Sequence, residues 1–262
     1  MSGPIVLGQW NFWIVLYLWF VGIGTGAFLT AYYINKKNDA SDLLTRASWI
    51  GVAALAAGSL LLLIDLGRPL RFWHMFVSYR GSSVMWIGSW PITITTILMF
   101  IVALTKSKGV AILAAIGAAL TASYVGVLLT VSAMQLWSGT LLLPWLFLAS
   151  AFTTGAAALS LSKSGSQYAD VLSETGKIYG ILELIILILF VFWSFAAAPA
   201  AALSMVAGKY IGAFWVGVLI IGIAAPLYLE IKSDKKISIA ATGLMIIFGG
   251  LALRYLIVFA GQ

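Results

Sequence analysis

Long apolar runs separated by short polar breaks dominate the pattern of this chain. A helix needs about 20 apolar residues to cross the hydrocarbon core of a bilayer. Eight runs of that kind are present, at residues 10–34, 48–66, 84–104, 110–133, 141–161, 178–198, 211–229 and 237–259. The strict alternation of apolar and polar residues that marks membrane-spanning strands is missing. The pattern therefore predicts an all-α integral membrane protein with eight transmembrane helices, forming one membrane domain over residues 1–262.

Composition restricts the chemistry that such a chain can carry. Of 262 residues, 62% are hydrophobic and 9% are charged, whereas a soluble domain carries about a quarter charged residues. Cysteine is absent and histidine occurs once, so the chain cannot hold an iron–sulfur cluster through thiolates or a haem through two histidines. No metal site is predicted. We expect any redox cofactor to be diffusible or to belong to a partner.

Lysine and arginine are distributed unevenly between alternate loops. One side carries ten of them: Lys36, Lys37, Arg46, Lys106, Lys108, Lys163, Lys177, Lys232, Lys235 and Lys236. The other side carries Arg68, Arg71, Arg80 and Lys209. Because cytoplasmic loops retain positive charge, this asymmetry predicts a multi-pass protein of the cell membrane with both termini outside. The net charge of +7 then reflects topology, and no nucleic-acid partner is predicted.

Two stretches of small residues resemble each other. They are residues 21–27 in the first run and residues 151–157 in the fifth, and both cross the membrane in the same direction. Two interpretations stay open: the chain is built from two four-helix halves, or the small residues only allow neighbouring helices to approach closely.

Polar residues inside the apolar runs are the candidates for function, because ionisable groups are costly in hydrocarbon. At about 1.5 Å per residue, Tyr17, Asp65, Tyr124 and Arg254 are predicted in the outer half of the membrane. Glu183 is predicted about 9 Å below the cytoplasmic surface. A place on a proton path and a structural hydrogen bond between helices are equally open for Glu183.

Glu230 closes the seventh run beside Lys232. A solvated ion pair at the membrane interface is the favoured interpretation, since charged helix ends reach the surface easily. A place on an inward proton route is the alternative.

Four stretches carry a family resemblance. They are LIDLGRPLRFWHMF at residues 63–76, SSVMWIGSW at residues 82–90, YLWFVGIGTGA at residues 17–27 and YVGVLL at residues 124–129. This chain resembles the polysulfide reductase NrfD family of membrane subunits. The resemblance implies a haem-free subunit that reacts with a quinone (menaquinone or similar) near the outer face. It also implies a docked iron–sulfur subunit, which holds the clusters and leads to a molybdopterin-type catalytic subunit. A dimer of the whole complex stays open.

The resemblance also suggests site residues. Tyr124 matches the tyrosine that family members place on the fourth helix to bind quinone. Tyr17 falls where some members have a histidine, and Ile14 where they have an asparagine, so Asn11, one turn away, is a substitute candidate. Asp65 and His74 are the nearest titrating groups that could supply protons. For His74, a hydrogen-bonding residue of the loop is the favoured interpretation.

The connection of residues 67–83 is expected to be the main contact with the partner. Its Arg68, Arg71 and Arg80 are suited to carboxylates on a docked protein. Asp65 has a competing role, an ion pair with Arg68 that would shape this connection.

Other functions are weighed against this one. A passive anchor that only tethers catalytic subunits is the main alternative. A transporter is disfavoured because matched interruptions near the middle of two helices are missing.

Overall fold

In the computed structural model, helices account for most of the chain. The structure describes residues 10–65, 73, 77, 84–131, 134, 136–162, 165–232 and 235–262. The α-helices are α1 (Phe12–Asn38), α2 (Ser41–Asp65), α3 (Val84–Thr105), α4 (Lys108–Thr130), α5 (Leu142–Ser160), α6 (Ala169–Ala197), α7 (Pro199–Val206), α8 (Ala225–Lys232) and α9 (Lys235–Ala260). A 3-10 turn, Gly165–Tyr168, precedes α6, and a π-helical segment, Ala213–Ala224, continues directly into α8.

The predicted all-α membrane class is confirmed at the level of length and hydropathy. Seven helices are long and apolar enough to cross a membrane among the described residues, namely α1 to α6 and α9. The seventh predicted run lies in a shorter apolar helix, Ala213–Leu229. It belongs to helical backbone that is continuous from residue 211 to residue 232.

Several helices extend beyond the apolar runs that predicted them. α2 begins at Ser41 and not at residue 48, and α6 begins at Ala169 and not at residue 178. The physical reason is that a helix continues into polar residues once it leaves the hydrocarbon, so an apolar run marks only the part within it. The short helix α7 was not predicted. Pro199 cannot continue α6, but its fixed φ suits the first turn of a new helix.

The two ends of the described chain meet. The backbone N–H of Trp10 donates to the side-chain oxygen of Gln262 at 2.9 Å, and the Gln262 amide donates to the Trp10 carbonyl at 3.2 Å. We name the end of the bundle that holds Trp10, Asp65 and Gln262 the terminal face. The opposite end holds an exposed ion pair between Lys106 and Asp42 at 3.5 Å, and we name it the basic face.

Helix α1 lies at the centre and packs against α2, α4, α5 and α9. Its contact with α5 is backbone to backbone. A Cβ added at Gly26 would overlap the carbonyl of Ala151, and one added at Gly155 would overlap the backbone of Gly26 and Ala27. The two similar small-residue stretches are therefore in direct contact with each other, which agrees with their close-approach interpretation. The division into two four-helix halves stays a prediction.

The α1–α5 contact gives a first testable prediction. Gly26→Ala should lower the free energy of unfolding by about 2 kcal/mol, because an added methyl group meets backbone atoms that have little freedom to move. Thermal unfolding of the purified protein in detergent measures this. Gly109→Ala on α4 is the matched control, since no atom lies within 4 Å of a Cβ there. Equal unfolding temperatures for the two variants would contradict the prediction.

Candidate functional site

Asn11 and Asp65 pair at the terminal face. Asn11 is the residue before the first turn of α1, and Asp65 is the last residue of α2. The Asn11 amide donates to the Asp65 carboxylate at 3.0 Å, in an exposed position. The structure thus brings together two residues that were selected separately from the sequence. Arg68, the other predicted partner of Asp65, lies outside the described residues.

Tyr17 and Tyr124 form a layer beneath this pair. The side chain of Tyr17 is 2% exposed and packs against Gly58 of α2. The ring of Tyr124 occupies the space where a side chain at Gly88 of α3 would stand. The two tyrosines are near enough to interact electrostatically. Counted from residue 11 on α1 and residue 130 on α4, both lie about 9 Å below the terminal face. We name these two side chains the tyrosine layer.

Asp65 and the tyrosine layer are at different depths. Asp65 follows Gly58 by two helical turns on α2, which is about 10 Å along the axis. Asn11 and Asp65 therefore form an upper tier at the surface, and the tyrosines form a lower tier inside. His74, Arg71 and Arg80 lie outside the described residues. Glu230 is in α8, and its side chain is not among those described.

Glu183 is buried in the middle of α6. It is the central one of 29 residues in this helix, and its depth below the cytoplasmic surface stays a prediction. Thr153 of α5 donates a hydrogen bond of 2.6 Å to the Glu183 carboxyl group. The Ser150 side chain, one turn earlier on α5, also lies near this carboxyl group. The structure therefore contains the hydrogen bond between helices that was one of the two interpretations, and the proton path stays a prediction.

A small cavity adjoins Glu183. Its volume is about 20 Å³, which is room for one water molecule. The wall includes Gly176, Gly180 and Glu183 of α6 together with Gly222 and Pro226. The two α6 glycines precede Glu183, so the cavity extends from the carboxyl group toward the start of that helix.

Sequence reasoning assigned no role to Arg254 beyond its depth. Its side chain is 1% exposed, and its Nη1 donates to the Ser150 hydroxyl and to the Gly250 carbonyl, each at 2.8 Å. Its Nε donates to the Leu18 carbonyl at 3.3 Å. A lone cation inside the last apolar run was the signal that could have marked Arg254 as a member of a site.

A second cavity lies away from the tyrosine layer. It has a volume of about 210 Å³ and is lined by apolar side chains of α6, α7 and the π-helical segment, including Leu187, Phe214 and Trp215. It offers no polar group to orient a ligand. Among the described residues, no group of three or more His, Cys, Asp or Glu side chains could hold a metal ion.

Comparison with known proteins gives consistent matches. The family model described as "Polysulfide reductase", of the NrfD type, matches residues 3–262. A polysulfide reductase component of Wolinella succinogenes is 26% identical over 97% of this chain and 94% of its own length. The NrfD homolog of Haemophilus influenzae is 28% identical over 97% of this chain and 94% of its own length.

A match over a shorter segment has a higher sequence identity. A selenate reductase component of Mesobacillus selenatarsenatis is 35% identical over 104 residues, which are 39% of this chain and 24% of that protein. The family model covers almost the whole chain, and the two longer relatives are matched over nearly their full length. The chain is therefore a multi-pass membrane subunit that belongs to the polysulfide reductase NrfD family.

Proposed function

We propose that this chain exchanges electrons between a membrane quinone and an iron–sulfur subunit docked at the terminal face. The observation that carries the proposal is the tyrosine layer, where the side chains of Tyr17 and Tyr124 lie near each other about 9 Å below that face. The chain has no cysteine, so the clusters belong to the partner, and menaquinone or a similar quinone is the diffusible carrier. The relatives named as components of polysulfide and selenate reductases support membership of a multi-subunit oxidoreductase. A molybdopterin-type catalytic subunit beyond the iron–sulfur partner is part of the proposal.

The two tiers of polar residues suit the chemistry of a quinone. A phenol hydroxyl can donate a hydrogen bond to a quinone carbonyl, and Tyr124 does this in the proposed site, with Tyr17 bounding the pocket. When two electrons reduce the ring, its two oxygens take up two protons, which a group recharged from solvent supplies best. Asp65 is at the surface, where it can exchange protons, and Asn11 orients its carboxylate. His74 is the second proton donor in this proposal.

We further propose eight crossings with both termini outside. The contact between Trp10 and Gln262 supports an even number of crossings, which requires the helical backbone of residues 211–232 to cross as well. The ten basic residues predicted on one side support a cytoplasmic basic face. The iron–sulfur partner then docks outside, on Arg68, Arg71 and Arg80.

Proton movement from the opposite side is part of the same proposal. Glu183 and Glu230 mark an inward route from the basic face, and the water-sized cavity beside Glu183 supports it. A passive anchor for the catalytic and iron–sulfur subunits is the second candidate function. The pairing of buried polar groups by itself favours neither, because a stable anchor also has to pair them.

The orientation can be tested directly because the chain has no cysteine of its own. Ser138→Cys in the connection before α5 should react with a membrane-impermeant maleimide added outside intact cells. Ser107→Cys, between α3 and α4, should react only after the membrane is opened. Both substitutions replace one atom and leave the loop charges unchanged. The reverse labelling pattern would refute the orientation.

Tyr124→Phe tests the quinone site. Loss of the hydroxyl leaves a quinone oxygen without its donor, at about 1 to 3 kcal/mol, so quinone affinity should fall by one to two decades. We expect quinol-dependent turnover of the complex to decline while turnover with an artificial donor to the partner subunits is unchanged.

Tyr33→Phe is the matched control for this assay. Tyr33 is 43% exposed near the other end of α1, and its ring keeps its contact with Lys37 after the change. A parallel loss of both activities in Tyr124→Phe would mean damaged assembly. No loss of either would place the quinone elsewhere and favour the passive anchor.

Arg71→Glu tests the docking surface. Reversing a charge that faces carboxylates on the partner should weaken assembly, and more strongly at low ionic strength, where surface charges are least screened. Co-purification of the iron–sulfur subunit across a salt series measures this. Lys106→Glu on the basic face is the control for charge reversal alone. Unchanged co-purification of Arg71→Glu at every salt concentration would refute the role.

A further inference from the structure

Glu183 and Arg254 are the two charged side chains that are buried among the residues the structure describes. They are on α6 and α9, and both reach the same helix, α5. Arg254 donates to the Ser150 hydroxyl at 2.8 Å, and Glu183 accepts from Thr153, three residues further along α5, at 2.6 Å. The two charges are also near enough to interact electrostatically. One turn of α5 thus joins them into one network, which we name the buried charge pair.

The buried charge pair also forms a hydrogen bond to α1, the central helix. Arg254 donates to the carbonyl of Leu18 on α1, which is the neighbour of Tyr17 in the chain. Its Nη2 occupies the space where a side chain at Gly22 would stand, and that nitrogen has no hydrogen-bond partner among the described residues. Arg254 therefore depends on the Glu183 carboxyl group for a compensating charge, because an uncompensated buried cation is costly.

The other side of Glu183 is the water-sized cavity. Apart from Thr153 and Glu183 itself, the residues that line it are glycines, a proline and aliphatic side chains. The carboxyl group thus has this cavity on one side and α5, which carries the hydrogen bond to Arg254, on the other. A proton that reached the Glu183 carboxyl group from the basic face would remove the negative charge that compensates Arg254.

We propose that Arg254 is a positioning residue for the quinone reaction, and this rests on the proposed function above. Linked to Glu183 through Ser150 and Thr153 of α5, it fixes α1 at Leu18 and so sets the position of Tyr17. When a proton joins the Glu183 carboxylate, the carboxyl group becomes neutral and Arg254 keeps its charge. The hydrogen bond from Arg254 to Leu18 of α1 is then altered. Occupancy of Glu183 by a proton and the geometry of the tyrosine layer are thereby coupled.

The charge pair is tested by a double-mutant cycle on the assembled complex. Arg254→Gln and Glu183→Gln should each lower the unfolding temperature, and the double variant should lose clearly less than the sum, since each single change leaves one buried charge alone. Arg254→Gln combined with Ser194→Ala is the control cycle. Ser194 is a buried hydroxyl of α6 that bonds within its own helix, so that cycle should be additive. Additivity in both cycles would overturn the pair.

The positioning role needs a readout that stability alone does not move. Ser150→Ala and Arg254→Gln should each raise the KM for quinol about tenfold, with turnover from the artificial donor unchanged, and Arg254→Lys should recover part of the loss. Ser194→Ala should leave the KM unchanged. A coupled cycle with an unchanged KM would make the pair purely structural and overturn the proposal.

The failure of this inference is distinguishable from that of the quinone site. If Tyr124→Phe has no effect on quinol turnover, the proposed function fails whatever the cycle gives. If Tyr124→Phe raises the KM for quinol and the Arg254 variants do not, the quinone site stands and the positioning role is overturned.

Discussion

The contact between α1 and α5 at Gly26 and Gly155 is the one on which the positions of the other helices depend. Helices in a bilayer have no hydrophobic force drawing them together, so close packing of small residues is a main source of association. Here two backbones touch, because any side chain at either glycine would overlap the opposite helix. Since α1 also packs against α2, α4 and α9, the crossing with α5 fixes the central helix. The residues that α1 carries toward the terminal face, Asn11 and Tyr17, are positioned by this contact.

Hydrogen bonds between buried polar groups add to the helix association that close packing provides. In hydrocarbon an unpaired donor or acceptor costs several kcal/mol, so a polar residue in a transmembrane helix stays only where a neighbour can satisfy it. Ser150 is one turn before the α5 glycine, and it bonds to Arg254 and approaches Glu183. The same pair of helices that meets through glycines therefore also carries the polar network. Any change in that network therefore acts on a helix that also forms the close backbone contact with α1.

The sequence predicts the helices well and the polar contacts poorly, for one physical reason. A membrane-spanning helix is a local property of about 20 residues, and each of the eight apolar runs overlaps a helical segment of the described chain. The bond between Arg254 and Ser150 joins residues that are far apart in the chain, and no local pattern encodes it. The start of α6 was predicted at residue 178 because residues 169–177 are more polar than the rest of that helix, and yet they are helical. Asn11 and Asp65 were each selected, but only the packing of α1 on α2 shows that they bind each other. Tyr124 was selected through the family resemblance, and its contact with Gly88 needed the fold.

The vertical arrangement of the candidate groups gives the proposed function its physical direction. The tyrosine layer lies near the terminal face, where a partner's cluster can exchange electrons with a bound quinone over a short distance. Glu183 lies in the middle of α6, beyond the reach of that face, with its cavity extending toward the start of the helix. If electrons enter from one face and protons approach from the other, each turnover separates charge across part of the membrane. A passive anchor needs no such separation, so measurement of charge movement per electron distinguishes the two functions more directly than any comparison of sequences.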